Sequence, residues 1–81
     1  MKSYKSAFEI LTNDPVKIKM LEKKSSLINE ISDHMKSNHL TQKQAATIIG
    51  TEQSRVSRLL SGRMSEFSID WIFQALLKLQ A

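Results

Sequence analysis

The stretch QKQAATIIGTEQSRVSRLLSG, residues 42–62, decides the fold of this 81-residue chain. A first helical pattern stops at Gly50, and a second resumes about three residues later. In the second pattern Val56, Leu59 and Leu60 share one face, and the other faces carry serines and arginines. Two helices joined by so tight a turn, the second with a polar outer face, predict a helix-turn-helix.

Local signals at the helix ends agree with that prediction. Thr41 and Gln44 form a Thr-x-x-Gln pattern, which predicts a capping box at the start of the first helix. We expect Gly50 to leave this helix with a positive φ, which glycine tolerates without steric cost. Position 46 requires a small residue such as alanine, because the two helices are expected to cross closely beside it. The second helix has Glu52 where a capping side chain is usual, so we expect Thr51 to cap it instead.

The chain has nine lysines, but its three arginines all fall at positions 55, 58 and 63. A guanidinium is a planar fork that can grip a guanine edge or a phosphate with two hydrogen bonds, whereas lysine is a flexible point charge. This clustering favours contact with DNA. The residues predicted to read bases are Gln53, Ser54, Arg55, Ser57 and Arg58. The residues predicted to hold the DNA backbone, across a helix-turn-helix of residues 41–62, are Thr41, Gln42, Lys43, Gln44 and Arg63.

Composition allows this function and argues against several others. A chain of this length makes one small domain, residues 1–81. The formal net charge of +4 and the pI of about 9.6 favour a polyanionic partner. No cysteine is present, so disulfides and thiolate chemistry are excluded. No apolar run has the length of a signal peptide core or a membrane span, which predicts a cytoplasmic protein with no membrane association.

The rest of the chain predicts an all-α scaffold of about five helices. Residues 1–13 are expected to form an N-terminal arm or a short helix. Asp14 is placed to cap a helix that has Pro15 in its first turn and runs to about Ser37. Ser68 is placed to cap the last helix. The apolar residues expected to form the buried stripes of the first helix-turn-helix helix and of the last helix are Ala45, Ile48, Ile49, Ile69, Ile72, Phe73, Leu76 and Leu77.

Four large apolar residues exceed what one buried core requires. They are Tyr4, Phe8, Trp71 and Leu79. Surplus apolar side chains on a small domain mark either a dimer or partner interface, or an N-terminal segment that folds back on the last helix. The sequence leaves both interpretations open.

No catalytic or metal-binding pattern is present, so we predict that the protein is not an enzyme and needs no cofactor or metal. His34 and His39 lie five residues apart at a helix end, which puts them on different faces. The serines of the second helix-turn-helix helix have no histidine at a plausible local spacing, and no glycine-rich phosphate loop occurs.

The helix-turn-helix segment resembles the XRE/Cro family of phage and bacterial repressors. The likeness rests on Ala46 at the helix crossing, Gly50 at the turn, and Val56 and Leu59 in the second helix. It extends over nearly the whole chain to HigA-like antitoxins and small stand-alone XRE regulators, through the segments Ser-Ala-Phe-Glu-Ile-Leu and Phe-Ser-Ile-Asp. This resemblance implies a five-helix lambda-repressor-like domain.

The same resemblance implies a function and its partners. Members of this branch bind a pseudo-palindromic operator in double-stranded DNA as homodimers and repress their own operon, and the antitoxins also neutralise a RelE-like toxin. We therefore predict a transcriptional repressor that is the antitoxin of a HigBA-like pair. One alternative is a stand-alone or phage-type XRE regulator without a toxin. Another is a helix-turn-helix interaction module that does not bind DNA, which the three clustered arginines disfavour.

Overall fold

The computed structural model describes residues 14–81, and all the regular secondary structure in this part of the chain is helical. Its elements are α1 (Pro15–Ser37), α2 (Gln42–Ile49), α3 (Gln53–Leu60), a 3-10 turn (Met64–Glu66) and α4 (Ile69–Gln80). The predicted all-α class and the helix-turn-helix, formed by α2 and α3, are confirmed. The five-helix count is not matched, since four α-helices are described; the predicted arm or short helix of residues 1–13 lies outside the described residues.

The long helix α1 begins where the sequence predicts. The Asp14 side chain accepts a hydrogen bond of 2.9 Å from the Val16 backbone N–H, and Pro15 occupies the first turn. This satisfies one of the backbone donors that a helix start leaves free, at a position where the missing N–H of proline costs nothing. The Asp14–Pro15 start is therefore confirmed.

One hydrophobic core joins all four helices. Its largest fully buried side chains are Ile31 of α1, Val56 and Leu59 of α3, and Ile72 of α4. The most extensive packing is between α1 and α4, while α2 and α3 pack on each other and against these two helices. Each such apolar side chain contributes about 1.5–3 kcal/mol when fully buried. The helix-turn-helix is thus seated on a scaffold made by the first and last helices.

Three predicted core residues are exposed, and the prediction for them was wrong. Ile48 is 44% exposed on α2, and Phe73 and Leu77 are 47% and 48% exposed on α4. Each residue turns a helix by about 100°, so a helix packed on one side buries only a stripe. The buried stripe of α2 is centred on Ala45, Ala46 and Ile49, which leaves Ile48 beyond its edge. Ile72, Ala75, Leu76 and Leu79 form the stripe of α4, which leaves Phe73 and Leu77 outside it.

The three helices before α4 end in the same way, with a residue in the left-handed conformation. Gly50 (φ 85°) and Gly62 (φ 96°) follow α2 and α3, and His39 (φ 55°) follows α1. Glycine adopts this conformation without strain, whereas a residue with a Cβ does not. In each case a backbone N–H then bonds back across the last turn. The three closing bonds are Leu40 N–H to Met35 O (2.8 Å), Thr51 N–H to Ala46 O (2.9 Å) and Arg63 N–H to Arg58 O (3.3 Å).

Candidate nucleic-acid interface

Hydrogen bonds fix both ends of α2. At the start of α2, the Gln44 N–H donates to the Thr41 hydroxyl oxygen (3.1 Å) and the Thr41 N–H donates to Gln44 Oε1 (2.9 Å). This is the predicted capping box. At the end of α2, the Lys78 ammonium donates to the Ile49 carbonyl (3.2 Å). A cation at a helix C-terminus is favoured by the helix dipole, so α4 holds the turn that sets the angle of α3.

The start of α3 differs from the prediction. Glu52, not Thr51, occupies the N-cap position, and its side chain makes no capping hydrogen bond. The Glu52 carbonyl instead accepts from the N–H groups of Arg55 (3.0 Å) and Val56 (3.3 Å). The Glu52 carboxylate still favours the helix by its charge, since it lies at the positive end of the dipole.

The outward surface of α3 is polar and projects away from the core. Val56 and Leu59 are 0% exposed and hold the helix from beneath. The polar side chains on the exposed surface are Gln53, Ser54 and Ser57. They include three of the five residues predicted to read bases. Their short or flexible polar groups leave room for a nucleic-acid groove to approach the helix closely.

Arg55 lies against two aromatic rings. Its guanidinium carbon is 5.3 Å from the Phe67 ring centroid and 5.1 Å from the Trp71 ring centroid. The two rings are 5.0 Å apart and tilted by 41°, so the three groups form a nearly equilateral triangle. The ring faces attract the cation, which ties α3 to the start of α4. Arg55 is half-buried here, and its predicted role in base reading stays a prediction.

Arg58 and Arg63 share one carboxylate. Arg58 Nε lies 3.2 Å from Oε1 of Glu66, and Arg63 Nη1 lies 3.6 Å from Oε2 of the same residue. The Arg58 side chain is 42% exposed and that of Arg63 is 64% exposed. Arg58 Nε is itself buried and has no hydrogen bond of acceptable geometry, so charge attraction holds this pair. Two of the three arginines predicted to contact DNA therefore lie beside one anionic group.

Four of the five residues predicted to contact the DNA backbone lie at the start of α2, and the fifth, Arg63, follows α3. Lys43 and Gln44 are exposed, and Gln42 is half-buried. In the capping box Thr41 uses its hydroxyl oxygen and Gln44 uses its carbonyl oxygen as acceptors. The Thr41 O–H and the Gln44 amide N–H groups thus stay available as donors. A phosphate placed here would meet these donors, the Lys43 charge and the positive end of the helix dipole.

The four residues predicted to form a dimer or partner interface divide into two groups. Leu79 is 6% exposed within the core, and Trp71 is half-buried against Phe67. For these two residues the structure shows packing within the chain. Tyr4 and Phe8 lie outside the described residues.

Sequence reasoning missed the roles of Glu66 and Phe67. Glu66 contacts Arg58 and Arg63. Phe67 is 3% exposed in the core, and its ring lies beneath the Arg55 guanidinium. The signal that could have indicated Glu66 is its position directly after the arginine cluster, where it is the first acidic residue.

The comparison with protein families agrees with this geometry. A family model described as a helix-turn-helix domain matches residues 13–81, more than four-fifths of the chain. The chain therefore belongs to this helix-turn-helix domain family, which is consistent with an XRE-like protein and indicates a DNA-binding regulator. Comparisons with curated proteins and with solved structures return no match.

Residues 14–81 also show whether features of other kinds of site are present. None of the helices there combines the length and apolar character needed to cross a membrane. The same residues contain no group of three His, Cys, Asp or Glu side chains placed to hold a metal ion.

Proposed function

We propose that this protein is a sequence-specific DNA-binding transcription regulator that represses its own operon as a homodimer. The observation that carries the proposal is the placement of α3, the second helix of a helix-turn-helix. Its buried side of Val56 and Leu59 seats it on the core, while its polar side is turned outward. A helix presented in this way can enter the major groove, where base edges differ in their donors and acceptors.

Charged residues at both ends of the motif support phosphate contact. Lys43 lies at the start of α2, and Arg63 follows α3. Phosphate contacts release counterions, so log affinity should fall linearly with log salt, with a slope of magnitude roughly four to eight for a dimer. Fluorescence anisotropy on a short duplex across a salt series measures this slope. A flat response would refute DNA binding and favour the interaction-module alternative.

Dimerisation follows from the amount of sequence that one helix can read. A single recognition helix covers about four or five base pairs, too few to select one site in a genome. Two copies related by a two-fold axis would read half-sites about 10 base pairs apart on one face of the duplex. Selection from a randomised duplex library should therefore enrich pseudo-palindromes. Inserting five base pairs between the half-sites should abolish tight binding, and unchanged affinity would contradict this geometry.

Arg58 and Arg63 are proposed to have different roles. Arg58 lies on α3 beside the outward surface, within reach of a guanine, and Arg63 follows the helix toward the sugar-phosphate flank. Arg58→Ala should cost about 1–3 kcal/mol of binding free energy on the selected site and relax its preference at one position of each half-site. Arg63→Ala should weaken all duplexes about equally and lower the salt slope by about one per protomer. Uniform loss for Arg58→Ala would show that it does not read a base.

The antitoxin role is a further proposal that rests on the resemblance to HigA-like proteins. It requires a small basic RelE-like protein encoded beside this chain. Co-expression of the two should give a complex that purifies together and should relieve the growth arrest caused by the neighbour alone. If the adjacent open reading frame encodes no such protein, the stand-alone or phage-type regulator is the better interpretation.

A further inference from the structure

We infer that Glu66 is a specificity-determining residue, which holds Arg58 in the orientation that reads a base and restrains Arg63 at the same time. This inference rests on the proposed DNA-binding function. It assigns a role in base selection to a residue that makes no base contact itself. It is based on the bridge that Glu66 makes between Arg58 and Arg63, in which each carboxylate oxygen faces a different arginine.

The two arginines meet the carboxylate with different nitrogens. Arg58 is approached at Nε, the inner nitrogen, so the two terminal amino groups remain as a fork for guanine O6 and N7. Arg63 is approached at Nη1, a terminal nitrogen, over the longer distance of 3.6 Å. Glu66 therefore orients Arg58 without occupying the part of the guanidinium that would bind a base. Arg63 is held more loosely, as suits a phosphate contact.

The backbone that carries Glu66 is held by the scaffold. The Glu66 N–H donates to the Arg63 carbonyl (3.1 Å), within the 3-10 turn. Lys24 of α1 donates to the Met64 carbonyl of the same turn (3.4 Å), and the next residue, Phe67, is 3% exposed in the core. These contacts fix the backbone from which the Glu66 carboxylate reaches Arg58, and the ion pair then restrains Arg58 before DNA arrives. Ordering a long side chain beforehand lowers the entropy lost when it binds.

Without Glu66, both arginines would be free to pair with any phosphate. Removing the carboxylate also removes a negative charge that repels the DNA backbone. Affinity for non-cognate DNA should therefore rise, while the advantage of the cognate site shrinks. The expected loss of discrimination is about three- to ten-fold, the range that ordering one flexible side chain implies.

The test compares the wild-type protein with Glu66→Gln, which keeps the side-chain shape and removes the charge. The probes are a duplex enriched by the wild-type protein from a randomised library and a scrambled duplex of the same length. We expect the affinity ratio between the two duplexes to fall about three- to ten-fold in Glu66→Gln. Glu30→Ala is the matched control, since it removes one exposed carboxylate on α1, outside the bridge, and should leave the ratio unchanged.

A DNA-free measurement separates this inference from the proposed function. The Arg58 Nε–Hε signal in a ¹⁵N correlation spectrum should shift in Glu66→Gln and stay in place in Glu30→Ala. If the wild-type protein binds the selected duplex but Glu66→Gln discriminates equally well, the inference is overturned and the proposed function stands. If the wild-type protein binds no duplex, both are overturned.

Discussion

The contact of Arg55 with two aromatic rings makes a prediction about stability that differs from those for the other arginines. Its guanidinium lies 5.1–5.3 Å from the centroids of Phe67 and Trp71, at the junction of α3 and α4. Arg55→Ala removes the cation and the aliphatic stem that packs beside the rings. We expect this change to destabilise the fold, whereas Arg58→Ala removes only an ion pair between side chains that are 42% and 43% exposed.

The magnitude follows from the geometry. A cation–π contact is worth about 0.5–1 kcal/mol at an exposed site and about 2 kcal/mol when desolvated. Arg55 is half-buried and shares one charge between two rings, so we expect Arg55→Ala to cost about 1–2 kcal/mol in the free energy of unfolding. Alanine has a better helix propensity than arginine, which offsets only a few tenths of a kcal/mol of this cost. The Arg58 ion pair is worth about 0–1 kcal/mol because solvent screens it.

Urea unfolding followed by far-ultraviolet circular dichroism measures both changes with a probe that does not depend on Trp71 itself. Thermal unfolding should show the Tm of Arg55→Ala lowered by about 4–16 °C, since 1 kcal/mol corresponds to about 4–8 °C in a domain of this size. Arg55→Lys keeps the charge and loses the planar group, so it should fall between the wild type and Arg55→Ala. The reasoning would be refuted if Arg55→Ala and Arg58→Ala cost the same.

Further predictions concern the helix ends and the core, and each is read as a change in the free energy of unfolding. Thr41→Ala should lower the free energy of unfolding by about 1 kcal/mol because the capping box is broken, whereas Thr41→Ser should keep most of this stability. Gly50→Ala should lose about 1–2 kcal/mol through its positive φ alone, since an added Cβ would meet nothing within 4 Å. His39→Gly should have the opposite sign, a gain of about 0.5–1 kcal/mol, because His39 already adopts a left-handed conformation; a loss of stability would contradict this. Leu59→Ala should cost about 2–5 kcal/mol, as Leu59 is fully buried, and a cost below that of Thr41→Ala would contradict the core described above.

The helix boundaries that were predicted correctly depend on residues close together in the chain. The Asp14–Pro15 start, the Thr41–Gln44 capping box, the Gly50 turn and the Ser68 cap all act within three or four positions. Short-range hydrogen bonds of this kind are set by residue type and spacing. The left-handed conformation of His39 was not predicted. Histidine is enriched at positive φ among the non-glycine residues, but such residues are still only a few per cent, so residue type alone does not reveal the conformation.

The buried faces were predicted less well because a helix with apolar residues on two sides can be packed in more than one way. Ile48, Phe73 and Leu77 are as apolar as their buried neighbours. Which side is covered depends on the direction from which the other helices approach. That direction is a property of the assembled domain, so periodicity alone does not reveal it.

The sequence by itself determined that residues 42–62 form two helices around Gly50 and that the second helix turns a polar surface outward. Helical periodicity is sufficient for this, because Val56 and Leu59 must be buried and Ser54 then lies opposite them. Only the tertiary structure decided what the arginines contact. The positions of Glu66 beside Arg58, and of two rings beside Arg55, depend on how the chain folds back after α3. Ion pairs and cation–π contacts act over a few ångströms, and beyond a single helix such distances are set by packing rather than by spacing in the chain.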